Sequence, residues 1–257
     1  MPATASTPGK NCLTSLFRLA KSKIHAAANR VKNGRNPAAA GPYHPNRSCN
    51  ATNRGDNDMA KPGDTYVNPV TRTKLVFATT SASSGGRELA MDWFVPPGER
   101  LAAAAHCHAG PEGFGIEHFD VLEGSAACRI GREQLSANAP HTFTIPTNTP
   151  HVHPWNTGTT MMHIRQRITP PTPEMTILTG VERFFETLTA LSQQGRANRK
   201  GDIRNPLQGA LVLADGLLPL TYIAGIPLGL QVRLLNGLAG LARKLGYQAH
   251  IMPEPSA

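Results

Sequence analysis

The sequence is short of features that would narrow its function at once. It has only four cysteines, Cys12, Cys49, Cys107 and Cys128, and they stand far apart, without the C-x-x-C spacing of a zinc or redox motif. This pattern gives no disulfide framework. Basic residues interrupt every apolar run near the N-terminus, so we expect no secretory signal segment.

Acidic residues are absent from the first 55 positions, which contain nine lysines or arginines. The rest of the chain carries 17 basic and 17 acidic residues, so the net charge of +9 comes entirely from this tail. Because the charges after residue 55 are balanced, this part of the chain gives no electrostatic basis for nucleic-acid binding. The sequence also contains no DNA-reading helix or tandem basic motif. We therefore expect no nucleic-acid partner.

Residues 1–62 have the composition of a segment that cannot bury enough apolar surface to become ordered. Within them, apolar residues from Leu13 to Val31 recur at helical spacing, with basic residues elsewhere on the wheel. Such a segment resembles an organellar transit peptide. An overlong start with Met59 as the initiator, or a solvated tail, fits equally well. We expect a disordered tail or a targeting segment on an intracellular protein, cytoplasmic or mitochondrial.

From Thr65 to about Thr169, short alternating or β-branched segments are separated by Gly, Pro and Asn, which predicts a closed antiparallel β-barrel. In Glu88 to Val95 every second residue is apolar, as in a strand with one buried face. The other predicted strands are Lys74 to Thr79, Ala103 to His108, Glu117 to Leu122, Ala126 to Ile130, Thr142 to Ile145 and Thr160 to Ile168.

After Pro170-Pro171 the apolar period becomes helical. Thr179-Gly180-Val181-Glu182 predicts a capping box at the start of a helix that ends at Gly195, and Pro227 to Leu245 predicts a last helix. Leu207 to Leu230 is long enough to span a bilayer, but an aspartate, two prolines and its glycines favour packed helices over membrane contact. We assign residues 63–170 to the barrel and 171–257 to a helical extension.

The strongest local signal for chemistry is His106-Cys107-His108. Residues i and i+2 of a strand point to the same face, so both imidazoles would enter the barrel while Cys107 faces away. With Glu117 and His151 they supply three neutral nitrogen ligands and one carboxylate. This set suits one divalent ion, with Fe favoured and Mn, Ni, Co or Zn as alternatives.

These residues resemble the two motifs of the cupin superfamily, usually written G-x5-H-x-H-x3,4-E-x6-G and G-x5-P-x-G-x2-H-x3-N. The matching residues are His106, His108, Glu117 with Gly124, Pro146 and His151, while Asn156 falls one residue late. The chain departs from the motifs by an insertion of about five residues, Gly110 to Phe114, and by Pro140 and Asn148 in place of glycines. The Asn148 exchange is mild, because asparagine tolerates the left-handed conformation.

The insertion leaves two glutamates for the ligand position. Glu112 has the H-x3-E spacing, while Glu117 has the E-x6-G spacing. We choose Glu117 because it begins a strand, whereas Glu112 lies beside Pro111 and Gly113 in a predicted loop.

The resemblance covers about residues 65 to 250, because the C-terminal part is similar to a group of cupins with a helical extension. It implies a mainly β protein: a jelly-roll-like cupin barrel with C-terminal α-helices, which forms a homodimer. It says little about the reaction, since cupins include dioxygenases, isomerases, epimerases, lyases and plain binding proteins.

The expected function is a metal-dependent enzyme, most readily a dioxygenase or other oxygenase, that acts on a small organic molecule. Glu117 is the candidate catalytic residue as well as a ligand, because a carboxylate that detaches from the ion can move a proton. Candidate substrate contacts are His153, Trp155 and Phe119. A redox-neutral isomerase, cyclase or lyase would use the same residues, and a non-catalytic small-molecule-binding cupin is the third hypothesis.

Overall fold

The computed structural model describes residues 60–101, 105–109, 114–218 and 220–255. The strands in this part of the chain are β1 (Thr65–Val67), β2 (Lys74–Thr79), β3 (Leu89–Val95), β4 (His106–His108), β5 (Ile116–Glu123), β6 (Ser125–Ile130), β7 (Glu133–Asn138), β8 (His141–Ile145), β9 (His151–Asn156), β10 (Met162–Thr169) and β11 (Thr221–Ile223). The tail and targeting predictions for residues 1–59, and Glu112, lie outside the described residues.

The strands form two sheets in which every pair is antiparallel. One sheet has the order β1-β2-β3-β10-β5-β8, and the other has the order β11-β4-β9-β6-β7. Buried side chains from both sheets form a single hydrophobic cluster, in which Phe77 and Phe119 of the first sheet pack with Cys128 of the second. The predicted antiparallel barrel followed by helices is confirmed.

Alternation along the central strands determines what faces the interior. On β3, Leu89, Met91 and Val95 are fully buried. Across the sheet, Gln166 of β10 pairs with Met91 on one side and with Phe119 of β5 on the other. Because paired residues of antiparallel strands share a face, Gln166 lies inside the barrel among apolar side chains.

The helices are α1 (Ser81–Ser84), α2 (Met175–Gln193), α3 (Pro206–Gly216) and α4 (Leu228–Lys244). The predicted start of α2 at the Thr179–Glu182 capping box is wrong, since the helix begins at Met175 after an N-cap at Glu174. Glu182 is instead buried and accepts hydrogen bonds from the backbone N–H and the hydroxyl of Ser81. A tertiary contact thus uses the side chain that the capping box would have used.

The stretch from Leu207 to Leu230 is not wholly helical, which corrects the expectation of packed helices. Helix α3 ends at Gly216, and the chain then forms β11, which pairs with β4 of the barrel. This pairing covers an edge of β4 whose backbone groups would otherwise lack partners. No helix among the described residues is long and apolar enough to cross a membrane.

A close helix contact fixes the path into β11. A Cβ atom on Gly180 of α2 would lie 2.0 Å from the carbonyl oxygen of Gly216, the last residue of α3. Only glycine permits this approach. The end of α3 is therefore held against α2 immediately before the chain returns to the barrel.

Candidate metal centre

Strand β4 presents two imidazoles to the barrel interior, as its spacing predicts. The ring centroids of His106 and His108 lie 4.9 Å apart. Phe114 stacks on the His108 ring with a centroid distance of 3.6 Å and parallel planes. Cys107 points to the other face, where its thiol contacts the Tyr222 hydroxyl.

Strand β9 adds a second pair of imidazoles beside the first. His106 pairs with His151 across the two strands, and His153 is buried on the same face as His151. The ligand atoms of His106, His108, His151 and His153 all lie within 4.8 Å of one another. The sequence assigned His153 to substrate contact, yet His151-Val152-His153 has the same i, i+2 spacing that identifies His106 and His108.

Glu117 reaches the histidines from the opposite sheet. Its Oε2 lies 3.3 Å from His108 Nε2 and 3.3 Å from His151 Nε2, and its Oε1 lies 3.4 Å from His153 Nε2. Charge-assisted hydrogen bonds between such groups are shorter, about 2.7–2.9 Å. The spacing is instead that of atoms directed at a common point, and the side chain is only 1% exposed.

Several of these atoms are buried and have no hydrogen-bond partner in the part of the chain that the structure describes. They are His108 Nε2, His151 Nε2, both ring nitrogens of His153, and Glu117 Oε2. Buried polar atoms are nearly always satisfied, so a convergent group of unsatisfied ones requires an explanation. A bound cation provides it for His108 Nε2, His151 Nε2, Glu117 Oε2 and one nitrogen of His153, because each of these atoms can donate a lone pair, while the other nitrogen of a neutral His153 carries the proton. Nitrogens that share an ion at about 2.1 Å lie at most about 4 Å apart, so the cluster needs only a small contraction around a metal.

The electrostatics favour the protonation states that a metal needs. Burial, reinforced by His153, His151 and His108, holds the pKa of His106 well below its usual value. Burial also lowers the pKa of His108. Burial alone would raise the pKa of Glu117, but the attraction of His153 and close contacts with His108 and His151 outweigh it, so that pKa lies well below its usual value. These shifts favour neutral imidazoles at His106 and His108 and an ionised carboxylate at Glu117, which are the forms in which these groups bind metal.

An uncharged pair of side chains, Gln166 and Trp93, holds the oxygen of Glu117 that faces His153. Gln166 Nε2 donates to Glu117 Oε1 at 2.6 Å, and Trp93 Nε1 donates to Gln166 Oε1 at 3.0 Å. Because an indole N–H can only donate, it fixes which end of the Gln166 amide faces Glu117. Sequence reasoning missed both residues. The available signal was a glutamine at an inward position of β10, between Ile164 and Ile168.

The outer nitrogens of two histidines also have partners. His151 Nδ1 lies 2.9 Å from the carbonyl oxygen of Thr149, which can only accept, so Nδ1 carries a proton and Nε2 is the nitrogen that would bind a metal. His108 Nδ1 lies 3.0 Å from Thr221 Oγ1. Partners of this kind orient metal-binding imidazoles.

The remaining predicted residues lie close to the cluster or beside it. The Phe119 ring packs 5.0 Å from the His153 ring, centroid to centroid, and is fully buried. Trp155 lies two residues beyond His153 on β9 and is half-buried. Asn148 has a φ of 58° and its N–H donates to the His108 carbonyl, so asparagine does adopt the left-handed conformation at this glycine position.

No family model matches the sequence, and neither does any curated protein. Solved structures do match. A predicted oxalate decarboxylase from Thermotoga maritima is 14% identical over 38% of this chain and 80% of that chain, with a TM-score of 0.31. An RmlC-like cupin from Shewanella frigidimarina is 14% identical over 44% of this chain and 90% of that chain, with a TM-score of 0.33.

A third similar structure is an uncharacterised conserved protein with a double-stranded β-helix domain from Klebsiella pneumoniae. It is 16% identical over 45% of this chain and 84% of that chain, with a TM-score of 0.31. Likenesses of this size carry no argument about activity. The strand order and the ligand-bearing strands β4, β5 and β9 of the chain itself define the fold and the site.

Proposed function

We propose that this chain, which has the cupin fold, is a metal-dependent enzyme that acts on a small organic molecule, with an iron-dependent oxygenase as the leading candidate. One observation carries the proposal: four imidazoles and a carboxylate converge inside the barrel, and buried atoms of His108, His151, His153 and Glu117 have no hydrogen-bond partner among the described residues. Two H-x-H pairs from adjacent strands and a glutamate from the facing sheet form a ligand set rather than a packing cluster.

The donor atoms narrow the choice of ion. The set contains nitrogen and oxygen only, because the Cys107 thiol lies on the other face of β4. Such donors suit Fe, Mn, Co, Ni or Zn better than ions that prefer sulfur. An ion that accepts six ligands would keep one position open after four histidines and Glu117 have bound. That position would be available to a substrate.

The surrounding residues supply the rest of the chemistry. A divalent ion would act as a Lewis acid and, if it is iron, could also activate dioxygen. Glu117 is ionised at neutral pH and buried, so it lowers the net charge of the site, and it could move a proton for a bound substrate if it detached from the ion. Phe114 and Phe119 pack against His108 and His153 and keep water from the histidine rings.

Metal content of the purified protein tests the proposal. We expect about one equivalent of metal in the wild type by plasma mass spectrometry, and a large loss in both His108→Ala and His153→Ala. His118→Ala is the matched control, because His118 lies on the outer face of β5, where it contacts Thr144. It should keep the wild-type metal content. A wild type without metal, even after reconstitution, would contradict the proposal and favour a plain binding protein.

The identity of the metal then separates the two kinds of reaction. Iron would support the oxygenase proposal, and an oxygen electrode should record oxygen uptake with the right class of small molecule. Zinc, manganese or nickel, with no oxygen uptake, would favour a redox-neutral isomerase, cyclase or lyase at the same residues.

A further inference from the structure

We infer that the C-terminal extension is part of the metal centre, because β11 brings Thr221 to His108 and makes it the positioning residue for that ligand. The inference rests on the proposed metal site. It adds that residues beyond the barrel set the tautomer and orientation of one ligand. Thr221 does not itself reach the cluster of ligand atoms.

The two nitrogens of His108 face different groups. Nε2 lies 3.3 Å from Glu117 Oε2, in the centre of the cluster, and Nδ1 lies 3.0 Å from Thr221 Oγ1. To bind a metal, Nε2 must be unprotonated, so the proton must be on Nδ1. His108 is buried, and a buried N–H needs an acceptor. The Thr221 hydroxyl is that acceptor.

The backbone of β11 fixes Thr221 in this position. Thr221 pairs with His108 and Ile223 with His106, in an antiparallel ladder with β4. A backbone hydrogen bond from the Ala109 N–H to the Leu220 carbonyl oxygen, at 2.6 Å, extends the pairing beyond the strand. Thr221 is thus directly opposite the ligand it contacts.

Helix α4 clamps the other end of β11 through one fully buried side chain, Gln231. Its Oε1 accepts from the Ile223 N–H at 2.9 Å. Its Nε2 donates to the carbonyl oxygens of Ile223, at 2.9 Å, and Ile226, at 2.7 Å. The contact at His108 is therefore held by an element from each side: β4 through the ladder and α4 through Gln231.

The barrel offers a matched control for this contact. On its outer face, Thr144 Oγ1 lies 3.1 Å from His118 Nδ1, the same pair of atoms at nearly the same distance. That pair is exposed, and neither of its residues belongs to the proposed metal site. A threonine-to-valine change at each site removes the same hydroxyl, but only one of the two histidines is a proposed ligand.

The experiment measures the affinity of the apo protein for Co²⁺ by competition with a coloured chelator. Thr221→Val should bind Co²⁺ about 10- to 100-fold more weakly, as found for lost partners of metal-binding histidines. Thr221→Ser keeps the hydroxyl and should restore binding to within about threefold of wild type. Thr144→Val should bind as the wild type does.

A second readout does not depend on the metal or on a variant that folds. Long-range ¹H–¹⁵N spectra of the apo wild type should show His108 with its proton on Nδ1. Wild-type affinity in Thr221→Val, failure of Thr221→Ser to restore binding, or a proton on Nε2 of His108 would each overturn the inference while leaving the metal site standing. Absence of Co²⁺ binding by the wild type would instead remove the proposed function, and the inference with it.

Discussion

At the scale of single residues, Glu117 depends on the uncharged pair Trp93 and Gln166. Trp93→Phe keeps an aromatic ring against Phe185, whose centroid lies 4.9 Å away, but removes the N–H that binds Gln166. We expect the apo protein to lose about 1–3 kcal/mol in free energy of unfolding, because a buried amide oxygen is left without a donor. Urea denaturation measures this loss.

A double-mutant cycle assigns the effect to the pair. Gln166→Met removes the acceptor, so Trp93→Phe should cost less in that background, and the coupling should be about 1 kcal/mol. Strict additivity would show that the indole acts on stability only through packing.

A second residue-scale prediction concerns Glu182, which is buried between α2 and Ser81. Burial raises the pKa of Glu182 to about 7, against the hydrogen bonds from Ser81 and with help from Glu186. In an unfolded chain a glutamate titrates near 4.3, so between about pH 4.3 and 7 the folded state binds a proton that the unfolded state has lost. The contribution of Glu182 to the stability of the folded state is therefore fully present below about pH 4.3 and is lost as the pH rises through about 7.

Glu182→Gln removes this titration and leaves an acceptor for the Ser81 N–H. The free energy of unfolding of the variant relative to wild type should rise between pH 5 and pH 8, by up to about 3 kcal/mol. Glu133→Gln, on exposed β7, serves as the control and should leave the pH profile unchanged. An unchanged profile for Glu182→Gln would contradict the raised pKa.

The sequence predicts those site residues that depend on spacing along one strand. His106 and His108 follow from i, i+2 alternation, whereas Glu117 follows from the resemblance to the E-x6-G part of the cupin motif. Gln166 and Thr221 could not be predicted in the same way. Their contacts depend on which strands are neighbours and in what register, and the hydrogen bond between His108 and Thr221 joins residues 113 positions apart.

At the scale of elements, strand β5 and its Glu117 depend on the glycine that precedes it. Gly115 has a φ of 79°, and a Cβ atom there would lie 2.1 Å from the carbonyl oxygen of Thr169. Gly115→Ala must therefore move β5 or β10. We expect a loss of about 4 kcal/mol or more in free energy of unfolding, at the upper end for single substitutions, together with loss of metal binding.

Gly98→Ala is the matched control for this substitution. Gly98 has a φ of 75°, but nothing lies within 4 Å of its Cβ position. The variant should cost only the conformational penalty of about 1–2 kcal/mol and bind metal normally. Thermal and urea unfolding measure the loss in free energy of unfolding for both variants. Equal losses would show that the contact with Thr169 is unimportant.

Element prediction succeeded for strands with a regular apolar alternation and missed β1, β7, β9 and β11. Strand β2 has the bounds that the sequence predicts, because its residues alternate between core and surface. Strand β7 was missed, since nearly all of its side chains are exposed at a sheet edge. Strand β11 was missed because its three residues lie in an apolar stretch with no alternation of its own. Tertiary pairing, not local pattern, makes these two segments strands.

At the scale of the whole molecule, the ligands join the two sheets. Glu117 comes from one sheet and the four histidines from the other, so a bound ion would link them across the barrel. A ligand that binds only the folded state at 100 times its Kd stabilises it by about 2.7 kcal/mol. For a protein of this size that corresponds to a rise in Tm of about 5–10 °C on metal addition, measurable by calorimetry.

His153→Ala provides the comparison, since it removes one proposed ligand and keeps both histidines of β4. Its Tm should rise much less than that of the wild type at the same metal concentration. An equal rise in both proteins would place the stabilising metal at another site.

The position of β11 also has a consequence for the order of events during synthesis. The proposed ligands, from His106 to His153, leave the ribosome well before Thr221 does. At 5–20 residues per second, the separation of 113 residues between His108 and Thr221 corresponds to a delay of roughly 6–23 seconds. The nascent barrel would thus hold its histidines for some seconds before the strand that orients one of them exists, and a fully formed centre would be a property of the nearly finished chain.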